Sequence, residues 1–330
     1  MSDEPLVSVV IATHNRPSLL LNAIQSVRKQ SYRNIEIIVV DDCSDVDLGR
    51  IVAARHPDVR LVRNAAKRGP SHSRNEGIAL AAGEIVAFLD DDDEWLPCKL
   101  EEQVLLLREA DACVCGYRIR ETGKARTQDI AAVTGYHLRR GNVFCGASGF
   151  AARRYVFDSV KFDEALWIGE EWDVYVQIVR DFDLRNSRNP LFIYRKGLGQ
   201  SLSNQPHDDR SRLVANKIAC LEKNRAFLGE FYFGVRLAGT LLRFIGARGG
   251  RGKRILATMR EAGVLPTLYW FCQKAIHRDG IRFSDRKWFW RSGPSVCRPD
   301  DAKDPGARTH RDDGSEDVRA DTLGKECIGR

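Results

Sequence analysis

The stretch Gly83–Pro97, GEIVAFLDDDDEWLP, decides the fold of this chain. Its residues 85–89 form a short, continuously apolar run that ends at acidic side chains. This pattern predicts a β-strand covered on both faces, as the strands of parallel sheets are. Four consecutive aspartates, Asp90–Asp93, come directly after it. The simplest interpretation of them is a solvated acidic turn that caps a helix beginning near Pro97.

A divalent-metal site is the second interpretation of Asp90–Asp93. Their adjacent negative charges repel one another, so we expect a cation among them. Carboxylate oxygens at the end of a buried strand suit Mg²⁺ or Mn²⁺. Ligands of open α/β sheets also bind outside the carboxyl ends of the strands. The rest of the chain favours this second interpretation.

Predicted strands and helices alternate through the first hundred residues. Apolar runs at residues 6–12, 35–40 and 59–62 are typical of buried strands. Apolar side chains at i, i+4 and i+7 after Pro17 predict a helix between the first two. This order predicts parallel βαβ units, and therefore an α/β fold whose mixed, mainly parallel sheet is flanked by helices.

A second acidic segment, Asp41–Asp45, also ends a predicted strand. In a parallel sheet it opens on the same edge as Asp90–Asp93, and the basic residues Lys67, Arg68 and Arg74 lie between the two in sequence. Carboxylates can bind a metal and ribose hydroxyls, and cations can bind phosphate oxygens. Together these residues predict a nucleotide-diphosphate pocket. The glycine motifs of dinucleotide-binding and P-loop proteins are absent from the sequence.

The composition predicts a cytosolic protein without a transmembrane segment. No stretch approaches the about 20 apolar residues that span a bilayer, and we expect no signal peptide. The nine cysteines have no paired spacing, so we expect reduced core thiols. The net charge is +7, and basic residues concentrate between residues 236 and 254. That region predicts either a contact with a membrane surface or polyanion, or a solvated basic face.

The pattern divides the chain into three parts. Residues 1–210 form the predicted catalytic domain, residues 211–293 a helical extension, and residues 294–330 a charged, disordered tail. The amphipathic segment 231–276 can rest on an anionic membrane, pack as a helical cap or form a dimer contact. Its basic residues are Arg236, Arg243, Arg248, Arg251, Lys253 and Arg254.

Five motifs in order make the chain resemble the family 2 glycosyltransferases, which have the GT-A fold. They are Val9–Arg16 (VVIATHNR), Ile38–Asp45 (IVVDDCSD), Gly69–Gly77, Phe88–Trp95 (FLDDDDEW) and Gly169–Asp173 (GEEWD). The resemblance covers roughly residues 5–205.

The resemblance implies roles for residues on the donor side. Asp42 would bind the nucleotide base, and Thr13 and Arg16 would line the same pocket. Asp90 would bind the ribose or the diphosphate, and Arg74 would lie near the diphosphate. Two more residues concern the cofactor, Mn²⁺ or Mg²⁺: Asp92 as the metal ligand and Asp93 as a further one.

On the acceptor side, Glu171 stands where the family has its catalytic aspartate. Glu170 and Asp173 are rivals for the role of base. Gly146 and Ser148 would form the acceptor-side wall, although a tight turn explains them too. Trp172 would also lie there, with a core position as its alternative. His207 lies where some relatives place a diphosphate or metal contact.

The expected activity is inverting, metal-dependent transfer of a sugar from a nucleotide-sugar, UDP-linked, to a glycan or lipid-linked acceptor. The resemblance places it in cell-surface polysaccharide synthesis, in the cytoplasm at the inner face of the plasma membrane. The alternative is a catalytically silent nucleotide-sugar-binding partner of another transferase. A nucleic-acid partner is not expected, because the basic region lacks the interleaved aromatics of a known binding module.

Overall fold

Ten strands of the described chain form one mixed sheet, in the order β3-β2-β1-β4-β9-β6-β10-β5, with β7 beside β6 and β8 beside β10. The computed structural model describes residues 4–141, 146–195, 210–242 and 250–278. These residues belong to the first of two units of the chain, Met1–Cys297. The predicted tail 294–330, His207, Arg243 and Arg248 lie outside the described residues.

The strands are β1 Val7–Thr13, β2 Ile35–Asp41, β3 Arg60–Arg63, β4 Ile85–Asp90, β5 Glu94–Trp95, β6 Ala112–Ile119, β7 Ala125–Arg126, β8 Ala132–Val133, β9 Ala151–Arg153 and β10 Leu184–Tyr194. The helices are α1 Pro17–Arg28, α2 Leu48–Ala53, α3 Pro70–Leu80, α4 Lys99–Leu106, α5 Gly135–Arg140, α6 Glu170–Asp181, α7 Arg210–Lys223, α8 Arg225–Leu242, α9 Arg251–Ala262 and α10 Val264–Arg278.

The first half of the sheet is parallel, as the alternating pattern predicts. Strand β1 pairs in parallel with β2 on one side and with β4 on the other. The chain therefore winds outward to β3 and returns past β1, which makes β1 the point where the winding direction changes. Ligands of open α/β sheets bind at such a point, outside the carboxyl ends of the strands.

Aromatic packing fixes strand β4. Phe88 is fully buried and stacks on Phe150, with 5.5 Å between the ring centroids. The edges of Phe157 and Phe162 meet the same ring at 5.7 and 5.3 Å. Because Asp90 lies two residues beyond Phe88, this cluster holds the acidic end of the strand in place.

The helices α7–α10 pack against the α/β part through α7 and α8. Phe233, Val235, Ala238 and Leu242 are buried on α8. This packing is that of the predicted helical cap, while the division at residue 210 stays a prediction. Cys98 is disulfide-bonded, so the expectation of reduced thiols throughout is wrong at that position.

Helix α3 approaches β1 at a glycine. A Cβ atom added to Gly77 would lie 2.2 Å from Cγ1 of Val10. No such contact is tolerated, so α3 would have to move away from the sheet. This close approach also sets the position of Arg74, one turn earlier on α3.

We expect Gly77→Ala to lower the free energy of unfolding by about 1–3 kcal/mol, the usual cost of overpacking. Gly252→Ala is the matched control, because its Cβ would meet no atom within 4 Å on α9. It should stabilise the chain by up to about 1 kcal/mol through helix propensity. Urea denaturation measures both, and equal midpoints for the two variants would contradict the close packing.

Candidate active site

The ends of three strands lie side by side at one edge of the sheet. Thr13 at the end of β1 is in register with Asp41 at the end of β2, and Ala12 is in register with Asp90 at the end of β4. The two acidic segments therefore open on the same edge, as the sequence predicts. Non-glycine residues with positive φ follow two of these strands, Asn15 at 56° and Cys43 at 61°. Such backbone strain is typical of functional loops.

Asp42 organises the loop that precedes α3. One carboxylate oxygen accepts hydrogen bonds from the Arg68 amide at 2.8 Å and from the Asn64 side chain at 3.0 Å. The other accepts from the amide of Gly69, also at 2.8 Å. Asp42 thus ties the end of β2 to the start of α3. Its predicted contact with a nucleotide base stays a prediction.

Arg16 supplies a positive charge inside the aspartate run. Its guanidinium lies 3.0 Å from Asp91 and 3.1 Å from Asp92. Thr13 donates a hydrogen bond to the other Asp91 oxygen at 2.7 Å. Asp91 is buried, so it anchors Thr13 and Arg16 at the end of β1. Arg16 therefore supplies part of the positive charge expected among the aspartates.

Asp92 is the more accessible carboxylate of this pair. Its side chain is 19% exposed, compared with 7% for Asp91. Burial, followed by repulsion from Asp90 and Asp91, raises the pKa of Asp92 to about 6. A further cation beside such a carboxylate would stabilise its ionised form.

Asp93 faces the protein interior. One of its oxygens accepts a hydrogen bond from the Ser148 hydroxyl at 2.6 Å, and the other from the Arg195 amide at 3.1 Å. The Ser148 hydroxyl in turn accepts from the Asp90 amide at 3.0 Å. Burial, then the charge of Asp90, raises the pKa of Asp93 well above its usual value. Ser148 thus orders the aspartate turn, and its predicted acceptor contact is not tested.

Arg74 joins the donor-side acids to those of α6. Its guanidinium is buried, lying 2.8 Å from Asp90, 3.3 Å from Glu170 and 3.8 Å from Glu171. These three carboxylates raise the pKa of Arg74 against the effect of its burial. The guanidinium is therefore permanently charged, and it brings carboxylates from β4 and α6 together.

Glu171 lies at the open side of this cluster, with its side chain 18% exposed. Burial, then the negative charge of Glu170, raises its pKa to about 8, while Arg74 opposes the shift. A Cβ atom added to Gly146 would lie 3.6 Å from Oε1 of Glu171 and 4.0 Å from Oδ2 of Asp90. Gly146 therefore borders the space between these two carboxylates.

The other acidic candidate, Asp173, points away from this space. It is completely buried, and its oxygens accept hydrogen bonds from Asn224 at 2.7 Å, and from Lys223 and Gln177 at 2.8 Å each. Trp172 is also buried, with its indole N–H donating to the Leu138 carbonyl at 3.0 Å. This burial is that of a core residue, the alternative expected for Trp172, and its predicted acceptor contact is not tested.

A divalent metal would have to share this site with a ligand. Within the described ranges, no three His, Cys, Asp or Glu side chains are grouped to hold a metal ion by themselves. Mg²⁺ is, however, commonly bound through one or two carboxylates together with substrate phosphates. The raised pKa of Asp92 fits that donor set, whereas Asp93 is already engaged by Ser148 and the backbone. Asp92 is therefore well suited to be a metal ligand, and Asp93 is poorly suited.

Residues 8–160 match the sequence model of the family described as Glycosyl transferase family 2. The chain contains a family 2 glycosyltransferase domain. The succinoglycan biosynthesis protein ExoO of Rhizobium meliloti is 30% identical over 187 residues, which are 51% of this chain and 54% of that protein. A Campylobacter jejuni GalNAc(5)-diNAcBac-PP-undecaprenol β-1,3-glucosyltransferase is 38% identical over 116 residues, 34% of this chain and 38% of that enzyme. The chain thus spans about half, or less, of these relatives' length.

Solved structures share the GT-A fold of this family 2 domain. Residues 1–349 of Staphylococcus aureus TarS with UDP-GlcNAc superpose with a TM-score of 0.57, at 18% identity, over 83% of this chain and 92% of that one. The mannosyltransferase PcManGT of Pyrobaculum calidifontis with GDP-Man and Mn²⁺ gives 0.53, at 20% identity, over 83% and 85%. The predicted GT-A fold is confirmed.

Sequence reasoning missed several residues that shape the family 2 site. It did not single out Asp91, whose side chain is buried against Thr13 and Arg16. It also missed Lys223 and Asn224, which lie about fifty residues beyond Asp173. No local pattern connects side chains so far apart. The burial of Asp91 had a weak signal, because alternate residues of a strand-end run face opposite ways.

The raised pKa of Glu171 makes the stability of the chain depend on pH. A buried carboxyl that stays protonated in the folded state loses stability as pH rises from about 4.5, its unfolded value, towards about 8. We therefore expect Glu171→Gln to become more stable than the wild type as pH rises through this window. At pH 9 the variant's free energy of unfolding should exceed that of the wild type by at least about 1.4 kcal/mol, the equivalent of one pKa unit.

Urea denaturation at pH 5 and pH 9 measures this difference. Glu109→Gln, at an exposed position on the surface, is the matched control and should show no such trend. A Glu171→Gln variant whose stability parallels the wild type at both pH values would contradict the raised pKa.

Proposed function

We propose that this chain is an inverting glycosyltransferase that moves a sugar from a UDP-sugar to a lipid-linked or glycan acceptor in cell-surface polysaccharide synthesis. The observation that carries the proposal is the pairing of Asp90 and Glu171 across Gly146, with Arg74 between them. Asp90, on the donor side, and Glu171, the proposed base, thus face the same open space. The TarS structure with UDP-GlcNAc and the name of the Campylobacter glucosyltransferase support the donor and acceptor classes.

In the proposed reaction, the acceptor hydroxyl oxygen attacks the anomeric carbon of the donor sugar. The new glycosidic bond forms as the bond from that carbon to the diphosphate breaks, and the hydroxyl proton passes to Glu171. The diphosphate leaves with the electron pair. No covalent link between sugar and protein is needed, which agrees with direct displacement and inversion of the anomeric centre.

Glu171 suits the role of base better than its rivals. With a pKa of about 8, about a tenth of it is ionised at pH 7, and its ionised form takes up a proton readily. Glu170 is held by Arg74, and both oxygens of Asp173 are hydrogen-bonded on the far side of α6. The family's aspartate is one methylene shorter, so the glutamate places its carboxylate farther from the backbone.

The donor side would be held by residues at the strand ends. Thr13, Arg16 and Asp42 would line the nucleotide pocket, with Asp90 and Arg74 beside the diphosphate. Asp92 would hold a Mn²⁺ or Mg²⁺ ion together with diphosphate oxygens, as the PcManGT complex with Mn²⁺ suggests. When bound, the ion neutralises charge on the departing diphosphate. Arg16 would balance the remaining charge of Asp91 and Asp92.

Release of UDP from UDP-sugars with Mn²⁺ and a lipid-linked acceptor tests the activity. We expect Glu171→Gln to lower kcat by about 10²–10⁴, the usual contribution of a general base, with little change in the donor KM. The wild-type kcat should rise with pH up to about 8, where Glu171 becomes ionised. Glu109→Gln is the control and should match the wild type.

Two outcomes would contradict this assignment. An unchanged kcat in Glu171→Gln would show that another group accepts the proton. Binding of UDP-sugars without any release of UDP, in the wild type and with every acceptor, would favour the silent-partner alternative instead.

We further propose that α8–α10 rest on an anionic membrane surface. Five large apolar side chains there are exposed: Phe231 (43%), Leu256 (65%), Val264 (55%), Leu265 (72%) and Leu268 (46%). Residues 251–278 carry six Lys or Arg and a single acid, Glu261. Apolar side chains among basic ones suit the headgroup region of anionic lipids. Among the described helices, none is long and apolar enough to cross a bilayer.

Arg236, one of the basic residues expected to contact the membrane, does not contribute to this surface. Arg236 is half-buried, and its guanidinium lies over the Trp172 ring and donates to the Leu138 carbonyl, so it faces the protein and not a membrane. The expected contact is therefore restricted to the exposed residues of α9 and α10, with Phe231 of α8 beside them through its ring contact with Tyr269.

Co-sedimentation with phosphatidylglycerol vesicles tests this surface. We expect the full chain to bind them and to bind pure phosphatidylcholine vesicles weakly, and Leu265→Asp to weaken binding at least about tenfold. Leu105→Asp, at a residue 52% exposed on α4, is the matched control and should bind like the wild type. Equal binding by both variants would contradict the proposal.

A further inference from the structure

The first turn of α6 is held from two sides. Glu170 and Glu171 face Arg74 and the open space of the site. The next two residues, Trp172 and Asp173, face the opposite way, towards α7 and α8. Gly169 immediately precedes the helix, and its φ of 88° makes the sharp entry into this turn. A contact made behind the turn therefore acts on Glu171 through one or two residues of rigid helix.

Asp173 makes the strongest of these contacts. The end of α7 and the residue after it supply two hydrogen-bond donors, Lys223 Nζ at 2.8 Å and Asn224 Nδ2 at 2.7 Å. Lys223 also pairs with Asp163. The side-chain amide of Asn224 is itself buried, and it is the hydrogen-bond donor to one of the two Asp173 oxygens. Removing it would leave a buried carboxylate oxygen without a donor, at a cost of about 1–3 kcal/mol or more.

Trp172 is held by Arg236 of α8. The guanidinium carbon lies 4.2 Å from the centre of the indole ring, and Nη1 donates to the Leu138 carbonyl at 3.1 Å. That carbonyl also accepts from the Trp172 indole N–H at 3.0 Å. Arg236 and Trp172 therefore share one acceptor at the end of α5, which locks their relative positions.

The partial burial of Arg236 is costly. In the described part of the chain no carboxylate pairs with it, and burial lowers its pKa to about 10. A buried charge without a counter-ion lowers stability, and an apolar residue of similar volume would avoid that cost. A geometric role accounts for this cost, because one planar guanidinium holds both the Trp172 ring and the Leu138 carbonyl in place.

We propose that Lys223, Asn224 and Arg236 are positioning residues for Glu171. This inference rests on the proposed function, and it assigns to the helices beyond residue 210 a part in the reaction apart from any membrane contact. A misplacement of about 1 Å at a reacting group can cost on the order of 10²-fold in rate. The helical extension is thus a structural part of the active site.

Steady-state kinetics of full-length variants test the proposal. Asn224→Leu should lower kcat at least about tenfold, leave the donor KM within about twofold, and shift the acid limb of the kcat–pH profile to lower pH. The limb should move because a loosened α6 exposes Glu171 to water, which favours its ionised form. Glu222→Gln is the control, since Glu222 is partnered by Arg225 at the surface of α7.

A pair of substitutions at Arg236 separates positioning from mere stability. Arg236→Lys keeps a cation near the indole ring and a donor for Leu138, and it should retain most of the kcat. Arg236→Met fills the same space without either, and it should behave like Asn224→Leu. Circular dichroism and urea denaturation establish that each variant is folded at the assay temperature.

Titration of the Glu171 carboxyl by ¹³C NMR separates this inference from the proposed function. The signal is assigned by its loss in Glu171→Gln, and it can be followed without turnover. A folded Asn224→Leu chain should show a lower Glu171 pKa than the wild type, even if no transferase activity is found. A folded Asn224→Leu chain with unchanged kcat and an unchanged Glu171 titration would overturn the proposal.

Discussion

The buried guanidinium of Arg74 is the interaction on which the site depends. It lies within 4 Å of carboxylates from β4 and from the first turn of α6. At such distances each charge pair contributes about 4 kcal/mol at an effective dielectric constant near 20, so without Arg74 the three acids would repel one another strongly. One positive charge does not balance three negative ones. Burial, together with this surplus of negative charge, raises the pKa of Glu171 to about 8.

The position of Arg74 follows from backbone packing. Gly77 lets α3 lie directly against β1, and Asp42 ties the start of α3 to the end of β2. The same strand ends present Asp90 and Asp92, and Arg16 reaches across from the loop after β1. Close packing of one helix on the sheet therefore determines where the charges of the site meet.

Much of this arrangement could be predicted from the sequence, because it depends on local patterns. Apolar runs identify β1, β2 and β4, the latter two end at aspartates, and a parallel sheet brings the three ends together. Two features could not be predicted. Which of Glu170, Glu171 and Asp173 faces the site depends on the residue at which α6 begins. The contact of Trp172 with Arg236 depends on α8, which is more than fifty residues away in sequence.

A crystal structure with UDP and Mn²⁺ tests the central claim most directly. The account predicts that the diphosphate lies at the ends of β1, β2 and β4, next to Asp92, and that Glu171 borders the space on its sugar side. UDP bound at another face of the sheet, or a Glu171 carboxylate separated from the diphosphate by the protein, would contradict it.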